Sequence, residues 1–111
     1  MRVKHRVSVY SDGSYIGSFI KTIEMPGLPV LGSKMRFGSG VHKVTTTVDS
    51  QIFDEESSLF ITNSSIDIEE YSRKVADYIP PDRFPIELVK RCGFNVESLG
   101  DEFEHIYEKL A

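Results

Sequence analysis

The chain has 111 residues, 40% of them hydrophobic and 27% charged, which excludes a disordered polymer and is enough for a core without metal or disulfide staples. Cys92 is the single cysteine, so an intrachain disulfide is excluded and a reducing, cytoplasmic setting is expected. The net charge of −4 conceals a split: residues 1–48 hold seven Lys/Arg against Asp12 and Glu24, a net +5, whereas residues 49–111 hold six against fifteen Asp/Glu, a net −9.

No stretch approaches the roughly 18 apolar residues of a spanning helix, and the N-terminus lacks a signal-like apolar run, so no membrane association is expected. Residues 2–10 and 15–24 alternate like strands around Ser11-Asp12-Gly13-Ser14. Asp-Gly between such runs predicts a type I′ hairpin, because both central residues must take positive φ. With Asp12-Gly13 as the two-residue loop, Val3, His5, Val7, Val9, Ile16, Ser18, Ile20 and Thr22 share one face. Lys4, Arg6, Tyr10, Tyr15, Phe19 and Lys21 share the other, with Tyr10 opposite Tyr15, Arg6 opposite Phe19 and Lys4 opposite Lys21. The aliphatic face is the expected core face.

Met25-Pro26-Gly27-Leu28-Pro29 reads as irregular, since proline lacks the donor a central strand needs. Strands are expected at 33–37 and 41–49, joined across Gly38-Ser39-Gly40, and near 58–62 after the acidic turn Asp54-Glu55-Glu56. The apolar period then changes from two to three and four. Asp67 with Glu70 predicts a helix start, with Ile68, Tyr71, Val75 and Tyr78 or Ile79 on one face up to Pro80-Pro81. Residues 85–92 predict a second helix, with Pro85 in its first turn and Gly93 beyond its end. Ser98 with Asp101 predicts a third, striped by Leu99, Phe103, Ile106, Tyr107 and Leu110. The expected fold is a single α+β domain: about five antiparallel strands in residues 1–63, as a bent sheet or small partial barrel, then three helices in 64–111.

Sites for chemistry are sparse. His5, His42 and His105 occur in no HxH, HExxH or CxxC pattern, so no metal is expected. Cys92 ends a helix, where the dipole disfavours a thiolate. GxSxG, GxGxxG and GxxxxGK[ST] are absent from the sequence. Neither an enzymatic activity nor a cofactor is therefore expected. Glu55-Glu56 and Glu69-Glu70 occupy a turn and a helix start, which are solvated places.

Two features stand out. Aromatic rings interleaved with cations on a sheet are what single-stranded nucleic-acid binders use, because rings stack on bases and cations track phosphates. Lys4, Arg6, Tyr10, Tyr15, Phe19 and Lys21 form such a set, which Lys34, Arg36, His42 and Lys43 would extend. The last helix, with its apolar stripe to bury, is expected to cover this face, so that these cations meet Glu102, Glu104 and Glu108. The second feature is a motif pair: Arg2-Val-Lys-His-Arg6 reads RxxxR, and Asp12-Gly-Ser14-Tyr-Ile-Gly17 reads DxSxxG. In that order they resemble the signature of the PilZ family, β-barrel domains that bind cyclic di-GMP. The resemblance covers residues 2–17 and implies ligand roles for Arg2, Arg6, Asp12, Ser14 and Gly17. Only residues 7–11 separate the motifs, where the family usually has a strand and more. Asp12 and Ser14 also fit a hairpin turn by backbone chemistry alone.

The resulting expectation is a non-enzymatic binding or adaptor module acting on a protein partner. Nucleic-acid or nucleotide binding through the aromatic-basic face is the alternative.

Overall fold

The computed structural model describes residues 1–39, 42–74, 80, 81 and 83–110, with His42 by its backbone only. In chain order these form β1 (Arg2–Ser11), β2 (Ser14–Glu24), β3 (Lys34–Ser39), β4 (His42–Thr47), β5 (Ser50–Asp54) and β6 (Leu59–Asp67). There follow α1 (Ile68–Lys74), α2 (Arg83–Cys92), β7 (Asn95–Leu99), a 3-10 helix (Asp101–Ile106) and α3 (Tyr107–Leu110). The class is α+β, and the main sheet is open, with strand order β5-β6-β1-β2-β7. Its pairs are antiparallel except β1 with β6, which run parallel. β3 and β4 form a separate two-stranded sheet. Among the described residues, no helix is long and apolar enough to cross a membrane.

The hairpin turn forms as its sequence dictates, with Asp12 at φ 49° and Gly13 at φ 83°. The expected register holds only next to that turn. Tyr10 pairs with Tyr15, but a β-bulge shifts the ladder between Val9 and Tyr10. Beyond it Val7 faces Phe19, Arg6 faces Ile20, His5 faces Lys21 and Lys4 faces Thr22. One extra residue on β2 inverts the alternation, so that Ile16 and Phe19, three apart, both reach the core. Gly17 marks the place: a Cβ there would lie 2.7 Å from the Ser98 carbonyl of β7. The glycine in the second motif is thus required by the close approach of a neighbouring strand.

The core lies on the Val7–Phe19 side of the main sheet. Val7, Val9, Ile16, Phe19 and Ile66 meet Phe37 and Val44 of the β3–β4 hairpin, Phe84, Leu88 and Cys92 of α2, and Phe94. α2 begins two residues before the expected position and ends where Gly93 takes φ 78°. The fifth expected strand is a longer β6, and β5 is an additional strand.

The third helix is the largest departure. Ser98 sits in β7, and the segment after Gly100 starts as a 3-10 helix. Three residues per turn keep Phe103 and Ile106 on one ridge, which explains why the apolar spacing looked α-helical. Ile106 is buried and Phe103 packs on the core cluster, whereas Tyr107 is exposed. Val75, Tyr78 and Ile79 of the expected first helix, and Gly40 of the Gly38-Ser39-Gly40 connection, lie outside the described residues.

Candidate interaction surfaces

The helices and the β3–β4 hairpin pack on the same side of the main sheet, as the membership of the core cluster requires. The other side carries Lys4, Arg6, Ser8 and Tyr10 from the central strand, and among the described residues no helix lies over them. Neighbouring side chains cover this face instead. Arg6 lies in a two-pronged ion pair with Glu97 of β7, Nε to Oε1 and Nη2 to Oε2 both 2.8 Å, and donates to Asn63 of β6 at 3.4 Å. The hydrogen bond to Glu97 holds the guanidinium above its ordinary pKa. Tyr15 lies across Ser18, with its hydroxyl 2.7 Å from that Oγ and 2.6 Å from Ser98 Oγ. The rings of Tyr10 and Tyr15 meet edge to face at 5.7 Å.

The bulge removes two expected members from this face. Phe19 is fully buried in the core. Lys21 turns to the core side, where its Nζ donates to the Cys92 carbonyl at 2.6 Å and lies 5.9 Å from the Phe94 ring centroid. The partner of Arg6 is Glu97, on a strand; Glu102, Glu104 and Glu108 are exposed, on the 3-10 helix and α3.

Lys34, Arg36 and Lys43 form a second basic surface. They alternate with buried Phe37 and Val44 along the hairpin and are all exposed on its outer side. Because the hairpin caps the core side, these cations are separated from Lys4 and Arg6 by the body of the sheet. The expected single patch is therefore two. A cleft of about 290 Å³ lies where the hairpin meets α1, lined by Lys34, Thr45, Thr47, Glu70, Tyr71 and Lys74 among others. Its Glu70 and Lys74 pair at 3.2 Å.

The motif residues do not converge. Arg2 begins β1 and Asp12 follows its end, so a ten-residue strand separates them by about 30 Å. The Gly13 amide donates to Asp67, which occupies the turn with a protein group.

The surface that the sequence reading missed is β5. Among the described residues it ends the main sheet and pairs with β6 alone. Ile52 and Phe53, successive and therefore on opposite faces, are 51% and 56% exposed. Phe53 leans on Phe60, ring centroids 5.1 Å apart. The Gln51 side chain donates to the Pro29 carbonyl, which ties to this edge the loop carrying Val30 and Leu31, 76% and 58% exposed. The visible signal is two adjacent large apolar residues just before an acidic turn, between the strands expected at 41–49 and 58–62.

Cys92 is buried, donates to the Phe37 carbonyl at 3.8 Å and is pushed above its usual pKa by that burial, which suits a structural thiol. Among the described residues, no three of His, Cys, Asp and Glu gather as a metal site. No known family, curated protein or solved structure matches the chain.

Proposed function

We propose that this chain is a non-enzymatic binding module that acts through protein contacts. One observation supports the reading: β5 is a sheet edge that bears exposed Ile52 and Phe53, with Val30 and Leu31 in the loop tied to it. An edge strand offers unpaired main-chain groups to another chain, and large apolar side chains exposed along it add surface for that pairing. A cytoplasmic setting accompanies the reading, because a lone cysteine needs no oxidising compartment.

The test is capture by the full chain from a lysate of its native cells, with and without nuclease, beside the variant Ile52→Thr/Phe53→Thr. Threonine keeps the β preference of both positions while removing their apolar surface. The expected result is a protein partner that survives nuclease and is lost with the variant. A partner that disappears on nuclease treatment overturns the reading.

The rival reading is single-stranded nucleic-acid binding on the face of Lys4, Arg6, Tyr10 and Tyr15, where no helix among the described residues lies. Against it, Arg6 is already held by Glu97, and neither Phe19 nor Lys21 is on that face. A labelled oligonucleotide titrated at low salt separates the readings: the rival requires binding that falls steeply as salt rises.

A further inference from the structure

We infer that β5 takes an extended segment of a partner protein as an added strand, and that this segment carries Lys or Arg N-terminal to alternating apolar side chains. The inference rests on the protein-contact reading and gives its partner a chemistry.

An edge strand presents main-chain donors and acceptors to an incoming strand, and side chains at alternate positions supply selectivity. β5 is such an edge, with β6 as its one neighbour among the described residues. Ile52 on one face and Phe53 on the other give an added strand an apolar neighbour on each side of its pleat. Val30 and Leu31 extend the apolar surface through the Gln51–Pro29 tie.

Charge identifies the occupant. Between Lys43 and Arg73 the sequence has seven Asp/Glu and no Lys or Arg. Four of the seven bracket β5: Asp49 before it, and Asp54, Glu55 and Glu56 at its end. The Ser57 hydroxyl, 2.6 Å from Asp54, is the main reason that carboxyl lies below its ordinary pKa and stays charged. Lys4 also acts on Asp54, from a strand two places away. A second copy of the chain would set acidic ends beside each other, so the charge disfavours self-pairing. Antiparallel pairing is the more stable kind, and it sets the first residues of the incoming strand against Asp54, Glu55 and Glu56. That fixes the basic residues ahead of the apolar run.

The probe is a random twelve-residue peptide library displayed on phage and selected on the full chain. Enriched peptides are expected to carry Lys or Arg before residues that are apolar at every second position. Titrated with one such peptide, the full chain's amide spectrum should move at residues 50–56. N-methylation of the peptide's ladder-facing amides should weaken binding by about tenfold or more, as loss of main-chain pairing requires. The variant Glu55→Lys/Glu56→Lys lies in an exposed turn and leaves the core untouched; it should lose these peptides and select acidic ones. Enrichment without bases, shifts away from β5, indifference to N-methylation, or a concentration-dependent dimer formed through β5 would each overturn the inference. A nuclease-resistant partner lost with Ile52→Thr/Phe53→Thr, alongside failure of the peptides, leaves the protein-contact reading standing and removes strand addition alone.

Discussion

His5 lies on β1 between Val3 and Val7, and its imidazole is 2% exposed. Nδ1 and Thr62 Oγ1 share a hydrogen bond at 2.6 Å, the ring tilts against Phe37, and Nε2 has no hydrogen-bond partner among the described residues. Burial first, and the nearby Lys21 second, lower its pKa from 6.5 to about 4. The native state therefore keeps His5 neutral, while the unfolded chain takes up a proton near pH 6.5. Below that pH the unfolded state binds more protons, so this contribution to stability is full above pH 6.5 and is lost as pH falls towards 4. The loss amounts to about 3 kcal/mol across that window. Urea unfolding at a series of pH values should show this slope, and His5→Phe should remove it whatever it costs at neutral pH. An unchanged slope in the variant would assign the acid sensitivity elsewhere.

At the scale of elements, the most informative junction is the start of α1. Asp67 Oδ1 accepts the Glu69 amide at 3.0 Å, the helix cap that the spacing predicts, while Oδ2 accepts the Gly13 amide at 3.2 Å. Burial alone would raise its pKa, but the amides of Gly13, Glu69, Glu70 and Asp12 outweigh it and hold the carboxyl low. One side chain thus fastens the β1–β2 turn to the helix. Asp67→Ala should cost about 1–2 kcal/mol in chemical denaturation, and Asp67→Asn less, because an amide oxygen still caps. The Gly13 amide should exchange faster with solvent in the alanine variant; unchanged exchange would separate the turn from the cap. The cap, the Asp-Gly turn and the end of α2 at Gly93 were legible because each is decided within a few residues. β7 was not, since Ser98 and Asp101 satisfy a helix-start pattern as well as they fit a strand followed by a 3-10 helix.

Over the whole molecule, the strand-rich and helical parts of the sequence do not fold side by side. β6 extends to Asp67, β7 joins the sheet from residues 95–99, and Phe84, Leu88 and Phe94 complete a core begun by Val7 and Phe19. A fragment of residues 1–63 should therefore show no cooperative thermal transition by circular dichroism and a collapsed amide spectrum. Sigmoidal melting of that fragment would mean that the strands need no help from α2. The sequence by itself determined the α+β class, the first turn, the start of α1 and the end of α2, because capping, positive φ and apolar period act over one or two turns of chain. The tertiary structure decided which face Phe19 and Lys21 occupy, the parallel pairing of β1 with β6, and the exposure of β5. Those outcomes depend on strands distant in sequence: β7 pressing against Gly17 accompanies the bulge that inverts β2, and among the described residues no strand lies beyond β5 to cover Ile52 and Phe53. A period of two records alternation, but it does not record which strand lies alongside or which side of the sheet the helices choose.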